Sequence, residues 1–87
     1  MRKIAVTVVE APACHLCADA KAALAAFGAD FPLEVHLVDV RSPEGRQLVR
    51  RHRAAVQPLV LVEGELLSVG RLPRGKLRQR LEQLRAS

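Results

Sequence analysis

The run Ile4-Ala5-Val6-Thr7-Val8-Val9 sets the first constraint on this chain. It is short, rich in β-branched residues and almost continuously apolar, so as a strand it has no side suited to water. Both of its faces must be covered, which calls for a sheet with helices above and below it. At 87 residues there is room for one domain, spanning 1–87, and for a core of modest size. The only aromatics are Phe27 and Phe31, so aliphatic side chains must fill that core.

The punctuation along the chain supplies the remaining elements. After the Ala11-Pro12-Ala13 break, the stretch from Cys14 to Phe27 is rich in alanine, a strong helix former. Cys17, Ala20, Leu24 and Phe27 fall on one helical face, and Gly28 is a natural stop. From Leu33 to Val40 the pattern alternates, with Leu33, Val35 and Leu37 on one face and Glu34 and His36 on the other. That predicts a half-exposed strand.

Ser42-Pro43-Glu44 combines a capping hydroxyl, a proline at the first helical position and an acid near the positive end of the dipole. The helix it opens runs to about Arg53, with Leu48, Val49 and His52 inward. Leu59–Val62 and Leu66–Val69 flank Glu63-Gly64-Glu65 and predict a hairpin. Pro73 opens a last helix with a stripe of Leu77, Leu81 and Leu84. The order βαβαββα places the first two strands parallel, because a helix crosses between them, and the last two antiparallel. The expected class is α/β, with a four-stranded mixed sheet and helices on both faces.

Charge narrows the partners. Fourteen Lys and Arg against nine Asp and Glu give +5, concentrated from Arg41 onward. A basic chain without Tyr or Trp lacks the stacking side chains of single-strand nucleic-acid binders, so no nucleic-acid partner is expected. Solubility or an anionic partner accounts for the charge. Met1-Arg2-Lys3 and the apolar residues after it imitate a secretory leader, and Ala11-Pro12-Ala13-Cys14 imitates a lipidation site. Glu10 ends the apolar run at six residues, below the roughly 7–15 such a leader needs. The expectation is therefore a cytoplasmic chain with no membrane partner. Nothing in the composition argues against a monomer.

The chemistry lies in Cys14-His15-Leu16-Cys17. Two thiols at i and i+3, where a helix begins, can reach each other across one turn. Cys14 stands where unpaired N–H groups and the helix dipole favour negative charge, which supplies thiolate, the reactive form. A protonated His15 adds to that effect. Cys17, on the inward face, is expected to be buried. Cys14 then attacks a disulfide, and Cys17 resolves the mixed disulfide that forms. Other readings stay open: two small cysteines packed in a core, a Cu or Zn module, or a non-catalytic adaptor. The three histidines are badly spaced to complete a metal site with the cysteines, and no metal is expected.

Taken together, Pro12-Ala13-Cys14-His15-Leu16-Cys17 after the first strand, Val56-Gln57-Pro58 entering the third and Val69-Gly70-Arg71 after the fourth resemble the glutaredoxin-like branch of the thioredoxin superfamily. The resemblance covers almost the whole chain. It implies the thioredoxin fold and a CxxC oxidoreductase acting on protein or low-molecular-weight disulfides, served by a thiol reductant or a reductase. It also implies a cis Pro58 facing Cys14, with the Gln57 backbone, Gly70 and Arg71 meeting substrate. Arg74, Lys76 and Arg78 lie near the same loop as candidates for an anionic substrate group. The chain departs from glutaredoxins at Ala11, where many carry Lys, at His15-Leu16, usually Pro-Tyr, and at Val69-Gly70-Arg71-Leu72-Pro73, usually Gly-Gly and acids. It departs from thioredoxins at Val8, where they keep a buried Asp. The thiol chemistry carries over without a resident cofactor, and glutathione stands as one candidate reductant among others.

Overall fold

The computed structural model describes residues 2–86, so Met1 of the leader-like opening lies outside the described residues. The elements run β1 (Ile4–Glu10), α1 (His15–Phe27), β2 (Leu33–Asp39), α2 (Pro43–His52), β3 (Leu59–Val62), β4 (Glu65–Val69) and α3 (Arg74–Ala86). The strands form one sheet in the order β2-β1-β3-β4. The β1–β2 pair is parallel, with Val6 beside Val35 and Val8 beside Leu37. The β1–β3 and β3–β4 pairs are antiparallel.

Two apolar clusters show how the sheet is covered. Ile4, Val6, Val8, Val60 and Val62 meet Ala20, Leu24 and Phe27 of α1 and Leu77 and Leu81 of α3 on one face. On the other, Val9, Val38, Leu59 and Leu61 form a smaller cluster, against which Leu48 and Val49 of α2 pack. The double-sided burial expected of β1 is met, with Val6, Val8 and Val9 fully enclosed.

The expectation for β2 needs correction. Val35 and Leu37 share the face of Val6 and Val8 yet are 40% and 52% exposed. Their strand is at the edge of the sheet, and the α1/α3 layer is centred on β1 and β3. Alternation correctly assigned the faces; it carries no information on how far the helix layer reaches. Two smaller differences concern chain reversals. Gly28 ends α1 with an ordinary right-handed φ of −61°, so its conformational freedom is not used there. The β3–β4 turn is only Glu63-Gly64, with φ of 51° and 81°, the pair of positive values that suits a two-residue hairpin. Glu63 adopts this conformation while its carboxylate accepts the Ala5 N–H at 2.7 Å, tying the turn to β1.

The corner from β2 to α2 is built around the carbonyl of Asp39. It accepts the Ser42 N–H at 3.0 Å and the Ser42 hydroxyl at 2.7 Å. Ser42 Oγ in turn accepts the Gly45 N–H at 3.0 Å, the capping bond expected of Ser42. Gly45 is buried against the same corner. A Cβ there would collide with the Asp39 carbonyl oxygen and approach Val40 Cα to 2.9 Å. Within a helix glycine ordinarily costs about 1 kcal/mol relative to alanine; here close backbone approach requires it. The Asp39 carboxylate accepts from the Arg41 guanidinium at 2.8 and 3.1 Å and from the Arg41 N–H at 2.7 Å. The guanidinium bonds first, then the backbone bond, lower its pKa from 3.8 to about 2.

Two outcomes follow. Gly45→Ala should lower stability by about 1–3 kcal/mol, the range for forced overpacking, measured as a shifted urea midpoint at unchanged m-value; an unchanged midpoint refutes the close-approach account. The Asp39 carboxyl, followed by NMR, should titrate near 2 and return toward 3.8 in Arg41→Ala. Because the folded value is the lower one, whatever stability the clamp contributes is present above pH 3.8 and disappears as pH falls toward 2.

Candidate active site

β1 delivers the chain to the site. Beyond Glu10, the Ala11-Pro12-Ala13 segment turns back, with Ala13 held in the left-handed region at a φ of 51°. Cys14 follows in extended conformation, with φ of −110° and ψ of 108°, as the N-cap of α1. Its carbonyl accepts the first helical bond, from the Ala18 N–H at 3.1 Å. Its Sγ accepts the Cys17 N–H at 3.1 Å. The sulfur thus occupies the place where a serine or aspartate oxygen would normally satisfy a free helical N–H. The first turn of α1 carries no acid, so no carboxylate competes for that position.

Cys17 lies one turn further on, facing the core with Ala20 and Leu24, and is 2% exposed. Cys14 remains partly open to solvent. The two are joined as a disulfide, with Cα atoms 5.2 Å apart. The Gln57–Pro58 peptide is cis, as the resemblance implied, and the Gln57 carbonyl oxygen is 4.0 Å from Cys14 Sγ. Pro58 is buried, and its carbonyl accepts the Gly70 N–H at 2.9 Å. Gly70 has a φ of 88°, and a Cβ there would lie 3.5 Å from Val56 Cγ2.

Cys14, Cys17, Gln57 and Pro58 are therefore brought together, and Gly70 joins them through Pro58. His15 is exposed at the first position of α1. Arg71 is exposed beyond Gly70 and forms no ion pair among the described residues. Its basic neighbours each have a contact of their own. Arg74 pairs with Asp19 at 2.8 Å. Lys76 donates to the Leu67 carbonyl at 2.9 Å. Arg78 stacks on Phe27, 4.9 Å from the ring centroid.

Sequence reasoning missed a groove of about 610 Å³ beside Cys14. Lys21, Glu10, Asp39 and Arg41 line it with the cysteine segment, whereas Gln57, Pro58, Gly70 and Arg71 do not. Lys21 pairs with Glu10 at 2.7 Å, and Arg41 with Asp39 at 2.8 Å, so its charges are internally balanced. The spacing of Cys17 and Lys21, four apart on one helix, was the available signal; the ends of β1 and β2 meeting there was not visible locally. Among the described residues no three His, Cys, Asp or Glu side chains gather where they would hold a metal ion. No described helix is long and apolar enough to cross a membrane.

Known proteins share this architecture. The reduced thioredoxin preprotein of Schistosoma mansoni superposes with a TM-score of 0.66 at 17% identity, covering 94% of this chain and 79% of that one. Mitochondrial thioredoxin 3 of Saccharomyces cerevisiae, in its oxidized form, gives 0.64 at 16% identity, covering 95% and 80%. A Staphylococcus aureus protein of unknown function gives 0.67 at 14% identity, covering 100% and 95%. At such identities the likeness is one of fold: this is a thioredoxin-like α/β chain. No curated protein sequence matches it. A thioredoxin-type fold carrying a CxxC pair supports a redox role in general terms. The sequence model of the Glutaredoxin-like domain (DUF836) matches residues 5–84, and the chain belongs to that family.

Proposed function

We propose that this chain is a thiol–disulfide oxidoreductase in which Cys14 attacks and Cys17 resolves. The observation that carries the reading is the asymmetry of the pair. One cysteine is partly exposed and its sulfur accepts a helical N–H at 3.1 Å; the other, three residues on, is 2% exposed. In the reduced form, the amide that faces Cys14 Sγ and the positive end of α1 favour thiolate at that position. The exposed His15 side chain adds to the same field whenever it is protonated.

The Cys14 thiolate attacks one sulfur of a substrate disulfide, forming a Cys14–substrate disulfide and releasing the other half as a thiolate, which takes a proton from solvent. Cys17, deprotonated, then attacks Cys14 Sγ. The second half leaves as a thiolate, which takes up the proton that Cys17 gave to solvent, and the protein keeps the Cys14–Cys17 disulfide. Two electrons have passed to the substrate. A thiol reductant or a reductase, with glutathione one candidate, returns the pair to its starting state. The substrates are protein or small disulfides. An extended peptide would run beside the Gln57 backbone, with Gly70 and Arg71 at its flank. The cytoplasm, where thiols are kept reduced, suits this direction of transfer.

Cys14→Ser should reduce turnover of a protein disulfide to the uncatalysed background. Cys17→Ser should accumulate a mixed disulfide, seen by mass spectrometry as the protein plus one substrate half. Full activity in both variants would refute the mechanism. A separate measurement addresses the helix-terminus argument: alkylation of reduced Cys17→Ser protein should follow a titration midpoint below the ordinary cysteine value of about 8.5. A midpoint at that ordinary value removes the electrostatic basis and favours a non-catalytic adaptor.

A further inference from the structure

Among the described strands, β2 has one neighbour, β1, and its other edge is open. Two bonds flanking the ladder show which of its backbone groups are used. The Ile4 N–H donates to the Pro32 carbonyl at 2.7 Å, and the Val40 N–H to the Glu10 carbonyl at 2.8 Å. In a parallel pair alternate residues turn toward the neighbouring strand. The even-numbered positions between these two bonds therefore face β1, and Leu33, Val35 and Leu37 direct N–H and C=O outward. The Leu33 N–H is taken by the Phe31 carbonyl at 2.9 Å. The Leu33 carbonyl and both groups of Val35 and Leu37 face no strand among the described residues.

The side chains at this edge are also uncovered. Val35 and Leu37 are exposed on the α1/α3 face. Glu34 and His36 are exposed on the opposite face, 3.6 Å apart. An edge with free donors, free acceptors and exposed apolar side chains is a template for strand addition.

We propose that this edge pairs with the same edge of a second copy, antiparallel, with Val35 on the two-fold axis. The charges and the outward groups select that register. Val35 exchanges both of its bonds with Val35 of the second copy, and each Leu37 N–H meets the other copy's Leu33 carbonyl. On one face Leu33, Val35 and Leu37 meet Leu37, Val35 and Leu33, a continuous apolar row. On the other, each Glu34 faces the second copy's His36, an opposite-sign pair whenever the imidazole is protonated. An axis at Glu34 would set two carboxylates together, one at His36 two imidazoles, and one at Leu37 would place Asp39 against Val35. The two-fold closes on itself, so association stops at two chains, joining two sheets into one of eight strands. The surface is independent of the cysteine pair, so its failure would leave the thiol chemistry untouched.

Sedimentation equilibrium tests this on the intact chain from micromolar to about 1 mM. The mass should rise from 9.5 kDa to twice that value and no further. Val35→Lys, which places two ammonium groups at the axis, should weaken association by about 10-fold or more. His36→Glu, which opposes like charges across the pair, should weaken it as well. Exchanging the two charges, Glu34→His with His36→Glu, should restore the dimer. Far-ultraviolet circular dichroism checks the fold of each variant, and amide exchange at Val35 and Leu37 in the unaltered protein should slow with concentration. A single-chain mass at the highest concentration, a mass beyond two chains, a dimer indifferent to Val35→Lys, or no rescue by the exchange overturns the proposal.

Discussion

The structure depends on the enclosure of β1 from both sides. Val6 and Val8 are packed under α1 and α3, and Val9 belongs to the cluster covered by α2. Removing such side chains from water supplies most of what a chain this small has available for stability. It also fixes geometry: a strand held on both faces, with neighbours on both edges, ends at a defined place. The short segment 11–13 hangs from that end, so the position of Cys14 inherits the rigidity of the core. Cys17 closes the arrangement by burying its own side chain one helical turn away.

Two helix beginnings in this molecule satisfy the same electrostatic need differently. At α2, Ser42 Oγ accepts the Gly45 N–H and Glu44 adds an acid in the first turn. The capping groups at that end are permanent ones. At α1 the first turn has no acid, and a sulfur takes the accepting position. A neutral thiol is a poor acceptor and a thiolate a strong one. The terminus of α1 is thus best satisfied in the thiolate state that the proposed mechanism requires. On the proposed mechanism, a cap that is structural at α2 becomes at α1 a means of activating a nucleophile.

Much of this was legible in the residues. The caps at Ser42 and Cys14, the inward position of Cys17 and the hairpin at Gly64 follow from local rules, since each depends on neighbours only a few positions away. The cis bond before Pro58 came from resemblance, because nothing local distinguishes it from a proline that opens a strand. What escaped depended on contacts distant in sequence or on the reach of a layer. Gly45 carries no local signal for its role, which comes from the Asp39 carbonyl packed against it across the β2–α2 corner. Val35 and Leu37 look like core positions by alternation, and only the strand order reveals them as edge. Arg74, Lys76 and Arg78 looked free for a ligand; their partners Asp19, the Leu67 carbonyl and Phe27 lie on other elements.

The strand order also separates what the molecule can do chemically from what it can do by contact. The cysteine pair and the Gln57–Pro58 segment are carried by the two central strands, β1 and β3, whose side chains are covered on both faces. Cys14, Gln57 and Pro58 themselves lie just outside the helices and strands, on short segments anchored to these buried strands. The outer strands β2 and β4 retain exposed apolar side chains, Val35 and Leu37 on one and Leu66 and Val69 on the other. Unpaired cations are likewise kept away from the groove beside Cys14, where Lys21 and Arg41 are matched by Glu10 and Asp39. Arg46, Arg50, Arg51 and Arg53 of the α2 region enter no ion pair among the described residues. With those neighbouring charges cancelled, the helix terminus is the main fixed field at the sulfur, so on the proposed mechanism the reactivity of Cys14 depends chiefly on backbone geometry. Backbone geometry here is set by the core, which returns the chemistry of one sulfur to the packing of three valines.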